Sequence, residues 1–268
     1  MHAYDLEGKP HHFVKTKKRA KNPTRSTRPS DLKENGWVPS VTTITSVLDQ
    51  DWLTAHKCRQ VAKACIASRP RGGEDENIYA TRIARSVLEE AGEAAKIGDA
   101  IHAALEAHYT GERVPDTLTL YNGLELPAMD VIKPSIDLID KEGIVVQRNE
   151  YVTVNPKLGY AGTVDMLCRK DGTPMLGDFK SKKTKKGVAI PANDLYACQL
   201  AAYYDSEFPC CIGSLPLHRE ESLAFNLYIS TTEPGRVEIV YYTAEHLTKA
   251  FEAFKHMLFL WKWSNGLL

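Results

Sequence analysis

Two aspartates and a lysine are spaced in this chain so that they could share a cation site. The sequence of 268 residues reads Gly-Thr-Val-Asp up to Asp165 and Asp-Phe-Lys from Asp178 to Lys180. Asp178 and Lys180 are two residues apart, so in a strand their side chains project from one face. Like charges directly opposite each other are destabilising, and a cation between them relieves the repulsion. The structural alternative is a surface trio in which the lysine only offsets the carboxylates.

A predicted β-hairpin positions these residues. Residues 159–168 and 173–180 have the composition of strands, and the Asp-Gly pair at 171 and 172 is a strong two-residue turn signal. The turn fixes the register, because the two residues that flank it pair first. Continuing this pairing along both strands places Asp165 opposite Asp178, with their Cβ atoms about 5 Å apart.

The remaining elements are predicted from hydrophobic periodicity and turn residues. Before the hairpin, a loop is expected over 68–77, and helices over 41–48, 52–67, 79–110 and 133–142. Gly92 and Gly98 are weak points of the third helix, and a strand over 144–154 follows the fourth. After the hairpin we expect a helix over 194–207 with Asp194 as its N-cap, a second hairpin over 223–230 and 236–243, and an amphipathic C-terminal helix.

The ordered set of motifs resembles the PD-(D/E)XK nuclease superfamily. The likeness is to its RecB-type branch, which includes phage exonucleases and the mitochondrial genome maintenance exonuclease. Besides Asp165 and the Asp-Phe-Lys triplet, the chain carries three further marks of this branch. They are a helix with a lone histidine at His102, Gln-x-x-x-Tyr from Gln199 to Tyr203, and Pro-Ser-Val-Thr-Thr-Ile over 39–44.

The resemblance implies an α/β (α+β) fold, with a restriction-endonuclease-like mixed central sheet flanked by helices and an N-terminal helical region. We therefore divide the chain into a basic N-terminal arm, 1–36, and a nuclease domain, 37–268. Within that domain, 37–110 is the expected helical region and 144–268 the catalytic core.

The resemblance also implies a reaction and a metal site. Phosphodiester hydrolysis needs an activated water and charge neutralisation, which a divalent cation can supply. Asp165, Asp178 and the backbone carbonyl of Phe179 are the implied ligands, and Mg²⁺ prefers such oxygen donors. Lys180 would orient the water or stabilise charge on the phosphate. His102 is implied to approach the metal, which would favour Mn²⁺ as well; its alternative is a hydrogen-bonded structural role.

Further residues are implied around this centre. Glu150 stands where relatives often carry an acid, and a solvated strand glutamate is the alternative. Gln199 and Tyr203 share a helix face with Tyr196, which we expect to lean over Lys180 and touch nucleic acid; half-buried packing is the alternative. A lysine cluster beside the site is expected to contact phosphates: Lys182, Lys183, Lys185 and Lys186. Three aromatics could stack bases but are better explained as core residues: Trp37, Trp52 and Tyr79.

The composition fits a globular protein without an overall charge bias. The chain has 34 basic and 34 acidic residues and is 43% hydrophobic. Residues 1–36 hold nine Lys/Arg against four Asp/Glu; a solvated loop is one interpretation of this segment and nucleic-acid contact the other. No apolar stretch is long enough to span a bilayer, and no secretory signal is evident, so we expect a cytoplasmic protein. An organellar transit peptide is a weaker alternative.

The six cysteines do not form a Cys-x-x-Cys pair. This pattern is typical of a reduced intracellular protein. Some RecB-type relatives hold an iron-sulfur cluster through one early cysteine and a tight C-terminal trio. Because no such trio is present, we expect no cluster.

Together these expectations favour a metal-dependent DNA exonuclease with Mg²⁺ or Mn²⁺ as cofactor. It would act on single-stranded DNA ends in phage or prophage recombination, replication or repair, with a phage recombination or single-strand-binding protein as a further partner. One alternative is a catalytically weak nucleic-acid-binding subunit of a repair complex. Another is a structure-specific or restriction-type endonuclease, for which the sequence offers no helix-turn-helix or zinc module.

Overall fold

The computed structural model of the chain describes residues 1–16, 22–48, 51–207 and 221–268. The helices are α1 Pro29–Asn35, α2 Val41–Thr45, α3 Asp51–Ala67, α4 Glu76–Thr110, α5 Ala128–Lys141, α6 Asp194–Glu207 and α7 Ala244–Ser264. The strands are β1 Ala3–Tyr4, β2 Phe13–Lys15, β3 Thr24–Ser26, β4 Val38–Pro39, β5 Thr117–Thr119, β6 Glu125–Pro127, β7 Val145–Asn155, β8 Tyr160–Lys170, β9 Thr173–Lys182, β10 Ser222–Ser230 and β11 Val237–Thr243. A 3₁₀ turn over Tyr121–Gly123 joins β5 to β6.

A five-stranded sheet is the centre of the fold, with the strand order β11-β10-β9-β8-β7. Strand β10 runs parallel to β9, whereas the other three pairings are antiparallel. The parallel step requires a crossover, and α6 is the helix in that connection. The sheet is therefore mixed, and the predicted α/β fold class is confirmed.

Helices cover both faces of this sheet. On one face, α2, α6 and α7 bury side chains such as Ile44, Leu200 and Phe254 against it. On the other face, α4 and α5 contribute Ile101 and Ile132 to a second apolar cluster. Burial of these two layers supplies the main driving force for folding, and it fixes how each helix faces the strands.

Helix α4 begins earlier than the sequence predicted. The side chain of Asp75 accepts hydrogen bonds from the backbone N–H groups of Asn77 and Ile78, so it caps the helix within the expected loop. The helix then continues without a break through Gly92 and Gly98 and ends at Gly111, whose φ is 73°. One continuous helix therefore extends from an exposed first half to a second half that packs against the sheet.

Helices α2, α5 and α6 also differ from the prediction. Helix α2 ends at Thr45, three residues before the predicted end. Helix α5 begins at Ala128, five residues before its predicted start, and it contains Pro134. Asn193, not Asp194, caps α6, because its Oδ1 accepts the N–H groups of Leu195 and Tyr196. The predicted N-cap, Asp194, is therefore wrong by one residue.

Most of the basic N-terminal segment is folded onto the rest of the chain. Strand β1 pairs with β4, and the Tyr4 hydroxyl lies 3.0 Å from the Thr163 Oγ1 of β8. Strands β2 and β3 form a hairpin, and the Arg25 guanidinium contacts both Asp31 oxygens at 2.7 Å. Residues 17–21, with much of the positive charge, lie outside the described residues. None of the helices in the described ranges combines the length and apolar character that a membrane span requires.

Candidate active site

The predicted register of the β8–β9 hairpin is confirmed. Asp171 and Gly172 form the turn, with φ values of 50° and 85°. A type I′ turn, which favours two-residue hairpins, requires a positive φ at both central residues. The pairing starts at the residues that flank the turn and runs to Met166 opposite Gly177. Asp165 and Asp178 are the next residue on each strand, so the site begins where the ladder ends.

The side chain of Asp165 replaces a ladder hydrogen bond at this point. Its Oδ2 accepts a hydrogen bond of 2.7 Å from the backbone N–H of Phe179. The Phe179 ring is buried and meets the His102 ring edge-on, with 5.8 Å between the ring centroids. Asp165 thus links β8 to β9, and the same carboxylate oxygen lies near His102.

Three potential metal ligands meet here. His102, Glu150 and Asp165 each offer a donor atom, and these atoms lie within 4.8 Å of one another. The His102 Nδ1 is 3.6 Å from the Asp165 Oδ2. The residues come from α4, β7 and β8, so tertiary packing brings them together. Glu150, which the sequence left open between a ligand and a solvated glutamate, belongs to this cluster.

The backbone at Glu150 is irregular. Asn149 pairs with Met166 and Tyr151 with Val164, which places Glu150 across from Asp165. Its φ is 44°, in the left-handed region that is unfavourable for a side chain other than glycine. Such strain is found where the surrounding structure holds a functional residue in place. Here it sets the glutamate beside the aspartate rather than along a regular strand.

Burial and mutual repulsion perturb the cluster. Burial raises the pKa of Asp165 well above its ordinary value, and the Asp178 carboxylate adds to this. Burial also raises the pKa of Glu150 to about 7, with further contributions from Glu106 and Asp178. Burial lowers the pKa of His102, which favours the neutral, metal-binding imidazole. A divalent cation would stabilise both carboxylates, so this donor set fits a hard metal ion with one nitrogen ligand.

Asp178 is held by three side chains. The Lys180 Nζ lies 2.5 Å from its Oδ2, and the Asn226 Nδ2 donates to the same oxygen at 2.8 Å. The Gln199 Nε2 donates to its Oδ1 at 3.3 Å. The three-donor cluster found among the described residues does not include Asp178, so its role as a metal ligand stays a prediction, as does that of the Phe179 carbonyl.

Lys180 faces the same cleft as the metal-ligand cluster. Burial alone would lower its pKa, but the carboxylates of Asp178 and Asp165 outweigh this and raise it. Its Nζ also lies 4.9 Å from the centroid of the Tyr196 ring. The ammonium group therefore has one tight carboxylate partner and an aromatic face beside it, which is the arrangement expected of a fixed positive charge.

The sequence analysis missed Asn226 and Tyr242. Asn226 is fully buried on β10, and its Oδ1 accepts a 2.7 Å hydrogen bond from the Tyr242 hydroxyl of β11. Because that oxygen is engaged, the amide NH₂ must point at Asp178. The available signal was an asparagine inside an otherwise apolar strand, since a buried amide must find partners.

Tyr203 is buried between α6 and β8. It is only 3% exposed and packs against Gly162, where an added Cβ would lie 2.5 Å from its ring. This burial favours the packing alternative, and a contact of Tyr203 with nucleic acid stays a prediction. Its hydroxyl accepts a 3.3 Å hydrogen bond from the Gln199 Nε2. Tyr203 thus orients Gln199, which in turn reaches Asp178.

The lysine cluster divides into two groups. Lys182 and Lys183 rest on tyrosine rings, with Nζ 5.7 Å from the centroid of Tyr228 and 3.5 Å from that of Tyr121, respectively. Lys185 and Lys186 are exposed on the loop that follows β9. Their contact with phosphates stays a prediction.

The structure explains two of the three separate aromatics as packing residues. The Trp37 ring stacks on His11 with 4.1 Å between centroids. The Tyr79 hydroxyl donates to the carbonyl of Cys65. The side chain of Trp52 lies outside the described residues. The preference for core packing is confirmed for Trp37, which packs against the apolar cluster of α2, α6 and α7. The half-buried Tyr79 ring instead lies under the Arg82 guanidinium.

An open cleft of ≈ 440 Å³ gives access to this site. His102, Glu150 and Lys180 line it, together with Asp99 and Glu106 from the same face of α4. Asp99 and Glu106 lie three residues before and four residues after His102, so the three side chains share one face of the helix. The cleft is acidic except for one ammonium group, so its electrostatic potential favours a cation.

The described cysteines are all free thiols: Cys58, Cys65, Cys168 and Cys198. Cys210 and Cys211 lie outside the described residues. The expectation that the protein holds no iron-sulfur cluster stays a prediction.

Comparison with known proteins does not assign the chain to a family. No protein-family model matches it, and no curated protein does. A solved structure described as "Crystal structure of SSO0001" is similar at 15% sequence identity and a TM-score of 0.26, over 47% of this chain. The similarity spans about half of that protein, 56% of its length. At this TM-score the similarity carries no argument about fold or function.

Proposed function

We propose that this protein is a divalent-metal-dependent DNA exonuclease of the RecB-type branch of PD-(D/E)XK nucleases. One observation carries the proposal: the ligand atoms of His102, Glu150 and Asp165 converge within 4.8 Å in a cleft that Lys180 also lines. The order of motifs along the chain supports the same assignment. A catalytically weak binding subunit would have no need for such a part-buried, mutually repulsive set of acids.

The cluster residues would hold the metal, with Asp178 and the Phe179 carbonyl completing the predicted ligand set. Bound Mg²⁺ or Mn²⁺ would supply an activated water and neutralise phosphate charge. Lys180 contributes a positive charge at a fixed place, because Asp178 anchors its ammonium at 2.5 Å. It can donate a hydrogen bond to a phosphate oxygen or to the attacking water. Gln199 and Asn226 keep Asp178 in position for this task.

The proposed substrate is DNA with a free end. The exposed lysines Lys185 and Lys186 follow directly on the strand that carries Lys180, so they can contact phosphates on either side of the scissile bond. The preference for single strands and for ends rests on the family resemblance. So do the cytoplasmic location in a bacterial or phage-infected cell and the partnership with a phage recombination or single-strand-binding protein.

The proposal is tested with DNA labelled at the 5′ or the 3′ end, in single- and double-stranded form. Wild-type protein is expected to release short products with Mg²⁺ or Mn²⁺ and none with EDTA. Lys180→Ala and Asp165→Asn should abolish release, whereas Lys249→Ala, an exposed lysine on α7, should not. Cleavage that survives both site substitutions, or no cleavage by wild-type protein with either metal, would refute the assignment.

A further inference from the structure

A second cavity lies on the other side of helix α4 from the catalytic cleft. Its volume is ≈ 510 Å³, and it is bounded by α4 and by the segment from β5 through the 3₁₀ turn. Mainly apolar side chains line it: Ala94, Ile97, Ala100, Leu118, Leu120 and Tyr121. A cavity of this size with apolar walls and a few polar groups at its edge is typical of a small-molecule or nucleotide site.

Three functional groups meet at the rim of this cavity. The Lys183 Nζ lies 3.5 Å from the centroid of the Tyr121 ring and 3.7 Å from the Glu90 Oε1. The Tyr121 hydroxyl donates to the same Glu90 oxygen at 3.4 Å. The lysine and glutamate side chains are about half exposed, with 46% and 55% of their surface accessible. An aromatic ring, a carboxylate and an ammonium group therefore stand together at an open edge.

A short segment of chain connects this rim to the catalytic cleft, because Lys183 and Lys180 are three residues apart. Lys183 directly follows β9 and is three residues beyond Lys180, which corresponds to about 10 Å along an extended chain. The intervening Ser181 packs directly on α4, because a Cβ added to Gly98 would lie 2.7 Å from its Oγ. This contact holds the segment between Lys180 and Lys183 against α4, which lines both the cleft and the second cavity. A nucleic-acid strand that places a phosphate at Lys180 can thus reach the second cavity with a neighbouring nucleotide.

We propose that the cavity is a nucleobase subsite for a base with an exocyclic amino group, an inference that rests on the proposed function. The base stacks on Tyr121 in the position that Lys183 now covers, with its other edge against the apolar wall. Its amino group donates to Glu90, as cytosine donates to acidic side chains in protein–DNA complexes. Lys183, displaced from the ring, pairs with the phosphate of the same nucleotide. The Lys183 ammonium group lies over one face of the Tyr121 ring, which shows that this face is accessible to a ligand.

Binding measurements with catalysis blocked by Ca²⁺ test the subsite. The probes are fluorescent linear oligo(dC) and oligo(dU), which differ at the base edge that would face Glu90. Wild-type protein is expected to bind oligo(dC) about five-fold more tightly. Tyr121→Ala should weaken oligo(dC) binding about ten-fold, and Tyr121→Phe should restore most of it, because the ring and not the hydroxyl stacks. Glu90→Gln should remove the preference for oligo(dC), and Glu89→Gln, its exposed neighbour on α4, should keep it.

A small phosphodiester without a nucleobase separates this proposal from the proposed function. With Mg²⁺ or Mn²⁺, its hydrolysis should be equal in wild-type protein, Tyr121→Ala and Glu90→Gln, because their side chains lie outside the catalytic cleft. If hydrolysis is intact but oligonucleotide binding is unchanged by Tyr121→Ala, the rim is a surface ion pair and the subsite is refuted. If the wild-type protein hydrolyses nothing yet shows the predicted binding pattern, the subsite stands and the nuclease proposal fails.

Discussion

The tightest contact in the site joins Lys180 to Asp178 at 2.5 Å. This one ammonium group faces three neighbouring carboxyl groups, those of Asp178, Asp165 and Glu150. Repulsion among them is only partly offset by the lysine, so the site is prepared for an added cation. In the proposed reaction the lysine and a metal ion would have separate tasks, and substitution can distinguish them.

Lys180→Ala should leave metal binding intact and abolish turnover. The lysine is not a ligand, so calorimetric titration with Ca²⁺ or Mg²⁺ should give an affinity near that of the wild type. Turnover should fall by about 100- to 1,000-fold, as expected for loss of one fixed charge at the reacting phosphate. Asp165→Ala should lose both metal binding and turnover, because it removes one of the three potential metal ligands. Near-normal cleavage by Lys180→Ala would remove the lysine from the mechanism.

Asn226 and Tyr242 should act by positioning Asp178. Asn226→Ala leaves a buried carboxylate without a 2.8 Å partner, and we expect metal affinity or turnover to fall about ten- to 100-fold. Tyr242→Phe frees the amide to turn and also removes the 3.4 Å contacts of the hydroxyl with the Asn193 backbone; it should cost about five-fold. Tyr241→Phe is the matched control, because its hydroxyl binds Glu142 away from the site. Wild-type affinity and turnover in folded Asn226→Ala would contradict this role.

The sequence predicted the part of the site that local rules determine. The Asp-Gly turn fixes the hairpin register, so the neighbourhood of Asp165 and Asp178 could be derived from spacing alone. Asn226 could not be found this way, because β10 joins β9 through a helical crossover and no turn sets its register. Glu150 was left open because its left-handed backbone conformation is a result of tertiary packing.

Helix α4 is the element that both sites share. One of its faces carries His102 into the cleft beside Lys180, and the other carries Ile97 and Ala100 into the second cavity. Its periodicity was predicted correctly and its length was not, because Asp75 caps it within a segment rich in loop-forming residues. The capping contact depends on local geometry that composition does not reveal.

The packing of α6 against β8 should be sensitive to one methyl group. Gly162→Ala would place a Cβ 2.5 Å from the buried Tyr203 ring, and we expect a loss of about 1–3 kcal/mol in the free energy of unfolding. Displacement of the ring should also loosen Gln199 and lower turnover. Gly92→Ala is the control, since nothing lies within 4 Å of its Cβ; it should stabilise the helix by about 0.5–1 kcal/mol. Urea unfolding of both variants measures the difference, and equal stabilities would contradict the packing argument.

At the scale of the whole molecule, the charge distribution matters more than the net charge. The chain has equal numbers of basic and acidic residues, yet the cleft is acidic and exposed lysines follow the strand that carries Lys180. In the proposed function, this separation would let a metal ion and a phosphate backbone bind side by side. The mixed sheet was expected from the family resemblance. The hairpin turns fix only antiparallel pairings such as β8–β9 and β10–β11, and the parallel β9–β10 pairing depends on the α6 crossover.

The proposed exonuclease requires a free DNA end, and this requirement gives the most direct test. Linear single-stranded DNA and covalently closed single-stranded circles of the same sequence offer the same phosphates and bases. Incubated together with wild-type protein and Mg²⁺ or Mn²⁺, the linear strand should be degraded and the circle should persist, and EDTA should protect both. Circles cut as fast as linear strands would contradict the exonuclease assignment, and survival of both substrates with either metal would contradict the nuclease itself.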